Sequence, residues 1–179
     1  MIAPAADAGE VTTINHPATI NHPATTNAAT SFRLRPIDPI VADHLRTAWC
    51  DSPVHIADEK PGFPCRQCLR DAEVGEELLL VSYDPFDVDS PYRSASPIFL
   101  HRQPCTSPAD LHELPEQLTI RQLSVRAFDR NAMMIDAAIV QGDRLDATLG
   151  RMFADGSCDH VHVHNATRGC WATRVDRDD

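Results

Sequence analysis

The chain has 179 residues and is acidic, with 26 Asp and Glu against 16 Lys and Arg and a net charge of −10. Its length and 42% hydrophobic content suit one folded domain with a buried core. A lone lysine, Lys60, and scattered arginines argue against nucleic-acid binding, which needs clustered cations on phosphate.

Residues 1–31 read as a disordered low-complexity tail. Ile14-Asn15-His16-Pro17-Ala18-Thr19 repeats at once as Ile20-Asn21-His22-Pro23-Ala24-Thr25. Such Ala-, Thr-, Asn- and Pro-rich sequence cannot bury enough apolar area to offset its ordering entropy. Met1–Glu10 lacks the basic and apolar regions of a secretory signal. No apolar run reaches the ~20 residues of a membrane span. The expectation is a cytoplasmic protein with no membrane partner, whose six cysteines are thiols or ligands rather than structural disulfides.

The domain is expected over residues 32–179. Phe32-Arg33-Leu34 predicts a short strand. Asp38-Pro39 offers a helix N-cap and a proline in the first turn. Ile40, Val41, Leu45, Ala48 and Trp49 are expected on one face of that helix. Residues 51–64 read as loop, and Cys65–Glu73 as a short helix or turn. Glu77–Tyr83 predicts a buried strand, from the run Leu78-Leu79-Leu80-Val81. A polar loop over 84–96 leads to a strand at Pro97–His101. Leu118–Phe128 alternates as a strand with one phase slip, read as a bulge. Met133–Val140 predicts another strand. Asp143 is expected to cap a helix whose Leu145, Leu149, Met152 and Phe153 form one apolar stripe, ended by Gly156. Strands follow at Asp159–Asn165 and Cys170–Val175. Strands outnumber helices without βαβ alternation, so the expected fold is α+β, a largely antiparallel sheet with two main helices.

Several pieces in order carry a resemblance. They are Pro64-Cys65-Arg66-Gln67-Cys68-Leu69, Gly75-Glu76, Tyr83-Asp84-Pro85-Phe86 and Pro91-Tyr92. Then come Pro97-Ile98-Phe99-Leu100-His101 with Cys105, Val161-His162-Val163-His164-Asn165-Ala166 and Gly169-Cys170. Together they resemble the bacterial domain-of-unknown-function family number 1203, over about Phe32 to Arg177. The family name implies no activity, so it leaves the question of enzyme or non-enzyme open.

Three constellations carry chemistry. Cys65, Cys68, His101 and Cys105 have the paired Cys/His spacing of a tetrahedral zinc site, whose donor atoms must converge within about 4 Å of one another. The alternatives are a redox pair at Cys65 and Cys68, with Arg66 favouring a thiolate, or reduced cysteines packed as small apolar groups. His160, His162 and His164 alternate along a strand, so they share one face and could bind zinc or iron with Asp159 or Asp136; a solvated strand face would alternate equally well. Arg126 and Arg168 with Tyr92 could hold an acidic small molecule or a protein segment without metal. No P-loop, G-x-G-x-x-G or G-x-S-x-G pattern is present. The leading expectation is a small zinc or iron site or pocket, and the alternative is a metal-free binding module.

Overall fold

A computed structural model describes residues 31–178. The tail reading of 1–31 therefore lies outside the described residues, except at Ser31. The backbone N–H of Asp178 donates to the Ser31 carbonyl at 3.0 Å.

The α+β expectation holds. Strands β1 (Phe32–Arg35), β5 (Gln122–Phe128), β6 (Met134–Gln141), β7 (His160–Asn165) and β8 (Trp171–Arg177) form one sheet in the order β1-β8-β7-β5-β6. Strands β2 (Val54–Ile56), β3 (Glu77–Tyr83) and β4 (Ser96–His101) form a second. Every strand pairing in both sheets is antiparallel. The long helices are α1 (Pro39–Ala48) and α3 (Leu145–Ala154), with a single turn, α2 (Glu116–Thr119), between β4 and β5.

Alternation gives the five-stranded sheet two different faces. On one, Leu34, Leu123, Val125, Val161, Val163 and Val175 pack under the α3 stripe of Leu145, Leu149, Met152 and Phe153. On the other side of β7, its three histidines face Phe86, Phe128 and Trp171. A further core joins the two sheets: Trp171 of β8 packs with Val81, Ile98 and Leu100 of the small sheet, and with Ile37, Ala42, Cys65 and Cys68.

Four local readings are corrected. The segment read as loop holds β2, three residues that pair with β3 (Val54 with Leu79) and are too short to show a period. Of the two forms expected for Cys65–Glu73, the turn is the one adopted: Pro64 bridges Asp71 and the Cys65 N–H donates to the Arg70 carbonyl. The phase slip in 118–128 is the junction of α2 and β5, and the register shift of the β5–β6 pairing lies later, between Ala127 and Phe128. Asp143 sits inside a 3₁₀ turn, Gly142–Arg144, and the N-cap of α3 is Arg144, whose side chain makes no cap hydrogen bond. Finally, α1 buries Ala42 and Arg46, whereas Ile40 and Val41 are exposed. The Asp38 cap forms as expected, accepting from the Ile40 N–H at 2.8 Å.

Candidate metal centre

The Cys65–Cys68 turn is nested among three elements. The Arg66 N–H donates to the Phe99 carbonyl of β4, and its carbonyl accepts from Ile37 N–H, both at 3.0 Å. The buried Arg66 guanidinium donates through Nε to the Trp171 carbonyl of β8 at 2.7 Å. Burial pulls its pKa down to about 10, so it stays charged at neutral pH. Leu69, just after Cys68, has φ 52°. Glycine commonly supplies that left-handed conformation. Here leucine accepts it, and its side chain is fully buried in the main core.

The small sheet brings the other pair. His101 ends β4, and Cys105 lies in the loop beyond it. Cys65, Cys68, His101 and Cys105 then place one donor atom each within 4.8 Å of all the others. Among the described residues this is the group of three or more His, Cys, Asp or Glu whose donors converge so. Two edges are tighter: Cys65 Sγ to Cys105 Sγ is 3.7 Å and Cys68 Sγ to His101 Nδ1 is 3.5 Å. With metal–sulfur near 2.3 Å and metal–nitrogen near 2.0–2.1 Å, a regular tetrahedron has S–S edges of ~3.8 Å and S–N edges of ~3.5 Å. Those two edges thus match a zinc tetrahedron, and with every donor within 4.8 Å of the others no edge needs to contract by more than about 1.3 Å.

A polar shell surrounds these donors. His101 Nε2 lies 3.1 Å from Glu76 Oε2, which also accepts from the Glu73 N–H at 2.8 Å. A carboxylate on Nε2–H leaves the Nδ1 lone pair for the sulfur cluster. From α1, the buried Arg46 donates through Nε to the His101 carbonyl at 2.9 Å and through Nη2 to Gln67 Oε1 at 2.5 Å. The same Nη2 is 3.9 Å from Cys105 Sγ. Gln67 in turn donates to the Cys105 carbonyl at 2.6 Å. Three thiolates and a neutral imidazole around a divalent ion would carry one net negative charge, next to an Arg46 guanidinium that is itself paired through Nη1 with Asp43 Oδ1 at 2.6 Å. Hydrogen bonds from Cys105 and Cys68 lower the Cys65 thiol, while its bond to Cys65 raises that of Cys105. The Cys65 and Cys68 sulfurs raise His101 to about 10.

Access is one-sided. Cys65, Cys68 and His101 are buried, but Cys105 is half-buried. His101 and Cys105 line an open cavity of about 590 Å³ with Arg70, Glu76 and Thr106.

The other expected sites are placed differently. His160, His162 and His164 are all buried, which corrects the solvated-face reading. Their rings pack in an aromatic cluster: His160 stacks on Phe128 at 5.3 Å, and His162 meets Phe86 edge-on at 4.8 Å. Asp159 sits 3.0 Å from His160 Nδ1, and Asp136 pairs with Arg151. Burial lowers all three histidines, His162 to about 2 and His164 to about 4. Arg126 stands opposite His162 in the β5–β7 register and donates to Ser124 Oγ. Tyr92 lies edge-on to Phe128, and Arg168 is exposed on the turn after β7. Sequence reasoning missed Arg46 and Glu76. Arg46 had a helical position as its only signal, and Glu76 stood beside the strand without marking which histidine it would meet.

The fold and this cluster define a class, an antiparallel α+β protein with a Cys₃His donor set. The family model for a protein of unknown function, DUF1203, matches residues 62–177. The chain belongs to that family, and the matched span includes all four donors. No curated protein and no solved structure matches it.

Proposed function

We propose that this protein binds one zinc ion through Cys65, Cys68, His101 Nδ1 and Cys105, and that the ion serves the fold. The observation carrying this reading is the convergence of four donors, two of whose edges have zinc-tetrahedron length. Four protein ligands fill zinc's coordination, which is the pattern of structural sites; catalytic sites keep a position for water. The ion would clamp the Cys65–Cys68 turn to the end of β4 and the loop beyond it. An all-N/S tetrahedral set suits zinc over magnesium or calcium, and makes iron the competing occupant. Among the described residues, no convergent donor set supports a catalytic metal on the histidine strand.

The test is elemental analysis of untagged chain purified without chelators. The expected result is about one equivalent of zinc per chain, lost in Cys65→Ser and retained in His162→Phe. Less than about a tenth of an equivalent of any transition metal refutes the reading. Iron in place of zinc would keep the site and change its occupant.

A further inference from the structure

We propose that Cys105 is a peroxide-sensitive position, and that its oxidation joins it to Cys65 and expels the zinc. This inference rests on the zinc reading above. Two observations carry it. Cys105 is the least buried of the four ligands and opens onto the 590 Å³ cavity with His101. Its sulfur is 3.7 Å from that of Cys65, so a short approach brings the two to bonding distance.

The reactant class is a small hydroperoxide, such as hydrogen peroxide, entering through that polar cavity. The Cys105 thiolate attacks one peroxide oxygen. An S–O bond forms, the O–O bond breaks and hydroxide leaves, giving a sulfenic acid. The Cys65 thiolate then attacks the Cys105 sulfur. An S–S bond forms, the S–O bond breaks and a second hydroxide leaves. Two electrons pass from the sulfurs to the peroxide, and zinc loses two of its four ligands. Cys68 and His101 alone hold it weakly, so it dissociates.

The pairing has a structural consequence. A Cys65–Cys105 bond would tie together the same two segments that zinc joins. A Cys65–Cys68 bond would close one turn and leave the Cys105 loop untethered. Oxidation at Cys105 would therefore exchange a metal crosslink for a covalent one.

The experiment treats full-length chain carrying Cys50→Ser, Cys158→Ser and Cys170→Ser with hydrogen peroxide. Zinc release is read with a chromogenic chelator, and disulfides by non-reducing peptide mass spectrometry. The expected result is about one zinc released per Cys65–Cys105 bond formed, reversed by dithiothreitol and added zinc. Zinc retained under excess peroxide overturns the proposal, as does a dominant Cys65–Cys68 bond. So does overoxidation of Cys105 with no crosslink. If the chain purifies without zinc, the metal reading fails by itself. Peptide mapping of that metal-free chain still decides the pairing: a Cys65–Cys105 bond supports it and its absence refutes it.

Discussion

At the residue scale, Leu69 explains why this turn looks unlike a glycine-bearing zinc knuckle. A non-glycine residue at positive φ costs about 1–2 kcal/mol. Full burial of the leucine side chain recovers on the order of 2 kcal/mol, so packing holds what glycine would permit locally. Glu76 acts on the site through another group. Its carboxylate fixes which nitrogen of His101 faces the sulfurs. Glu76→Ala is expected to weaken zinc binding by about tenfold or more, read by competition with a chelator of known affinity. Its side chain is partly exposed, so the metal-free fold should be little changed. Unaltered zinc affinity would remove Glu76 from the site's support.

At the element scale, α1 does more than cover the core. Its exposed Ile40 and Val41 follow from the helix turning Ala42 and Arg46 inward. Ala42 packs in the inter-sheet core, while Arg46 reaches β4, the cysteine turn and the Cys105 loop with one guanidinium. The junction of α2 with the 3₁₀ turn before α3 is set by close approach. A Cβ on Gly142 would lie 2.0 Å from the Leu118 carbonyl oxygen and 2.6 Å from that of Thr119. Backbone cannot yield as a flexible side chain does. Gly142→Ala is expected to cost about 1–3 kcal/mol in a urea titration, with zinc content preserved because the donors lie on other elements. A variant as stable as the parent would mean that the junction shifts freely.

At the scale of the whole molecule, the histidine face makes stability depend on pH. The unfolded chain protonates these histidines near pH 6.5. In the folded protein burial lowers all three, His164 to about 4 and His162 to about 2. Below pH 6.5 the unfolded chain binds more protons, so stability falls as pH falls. Each fully depressed histidine contributes a slope of up to ~1.4 kcal/mol per pH unit. The contribution of His164 is spent near pH 4, and that of His162 continues towards pH 2. Charged neighbours modulate this: Asp159 and Asp176 favour a proton on His160, while Arg174 opposes one on His160 and His162 and Arg126 on His162 and His164. Urea titrations from pH 7.5 to 4.5 should show the decline. His162→Phe should flatten it, because among the described residues neither His162 nitrogen has a hydrogen-bond partner and a phenyl ring fits the aromatic cluster. Metal loss in acid affects parent and variant alike, so an equal decline in both would count against His162 as a source.

Local pattern was enough to reveal much of this. The continuous apolar run of β3, the alternation of β5, the α3 stripe and the Asp38 cap follow from interactions within a few residues, and so does the α+β class. The candidate donors were also legible, since Cys65-Arg66-Gln67-Cys68 and His101 with Cys105 have the spacing of paired ligands. Convergence was not legible, because the pairs lie more than 30 residues apart and meet only through the nesting of the cysteine turn between β4 and β8. The histidine strand shows the same limit. Alternation put three histidines on one face, but whether water or aromatic rings cover that face depends on Phe86, Phe128 and Trp171, brought from other strands and loops. Sequence determined which residues share a face or a turn, and only tertiary packing decided what those faces and turns meet.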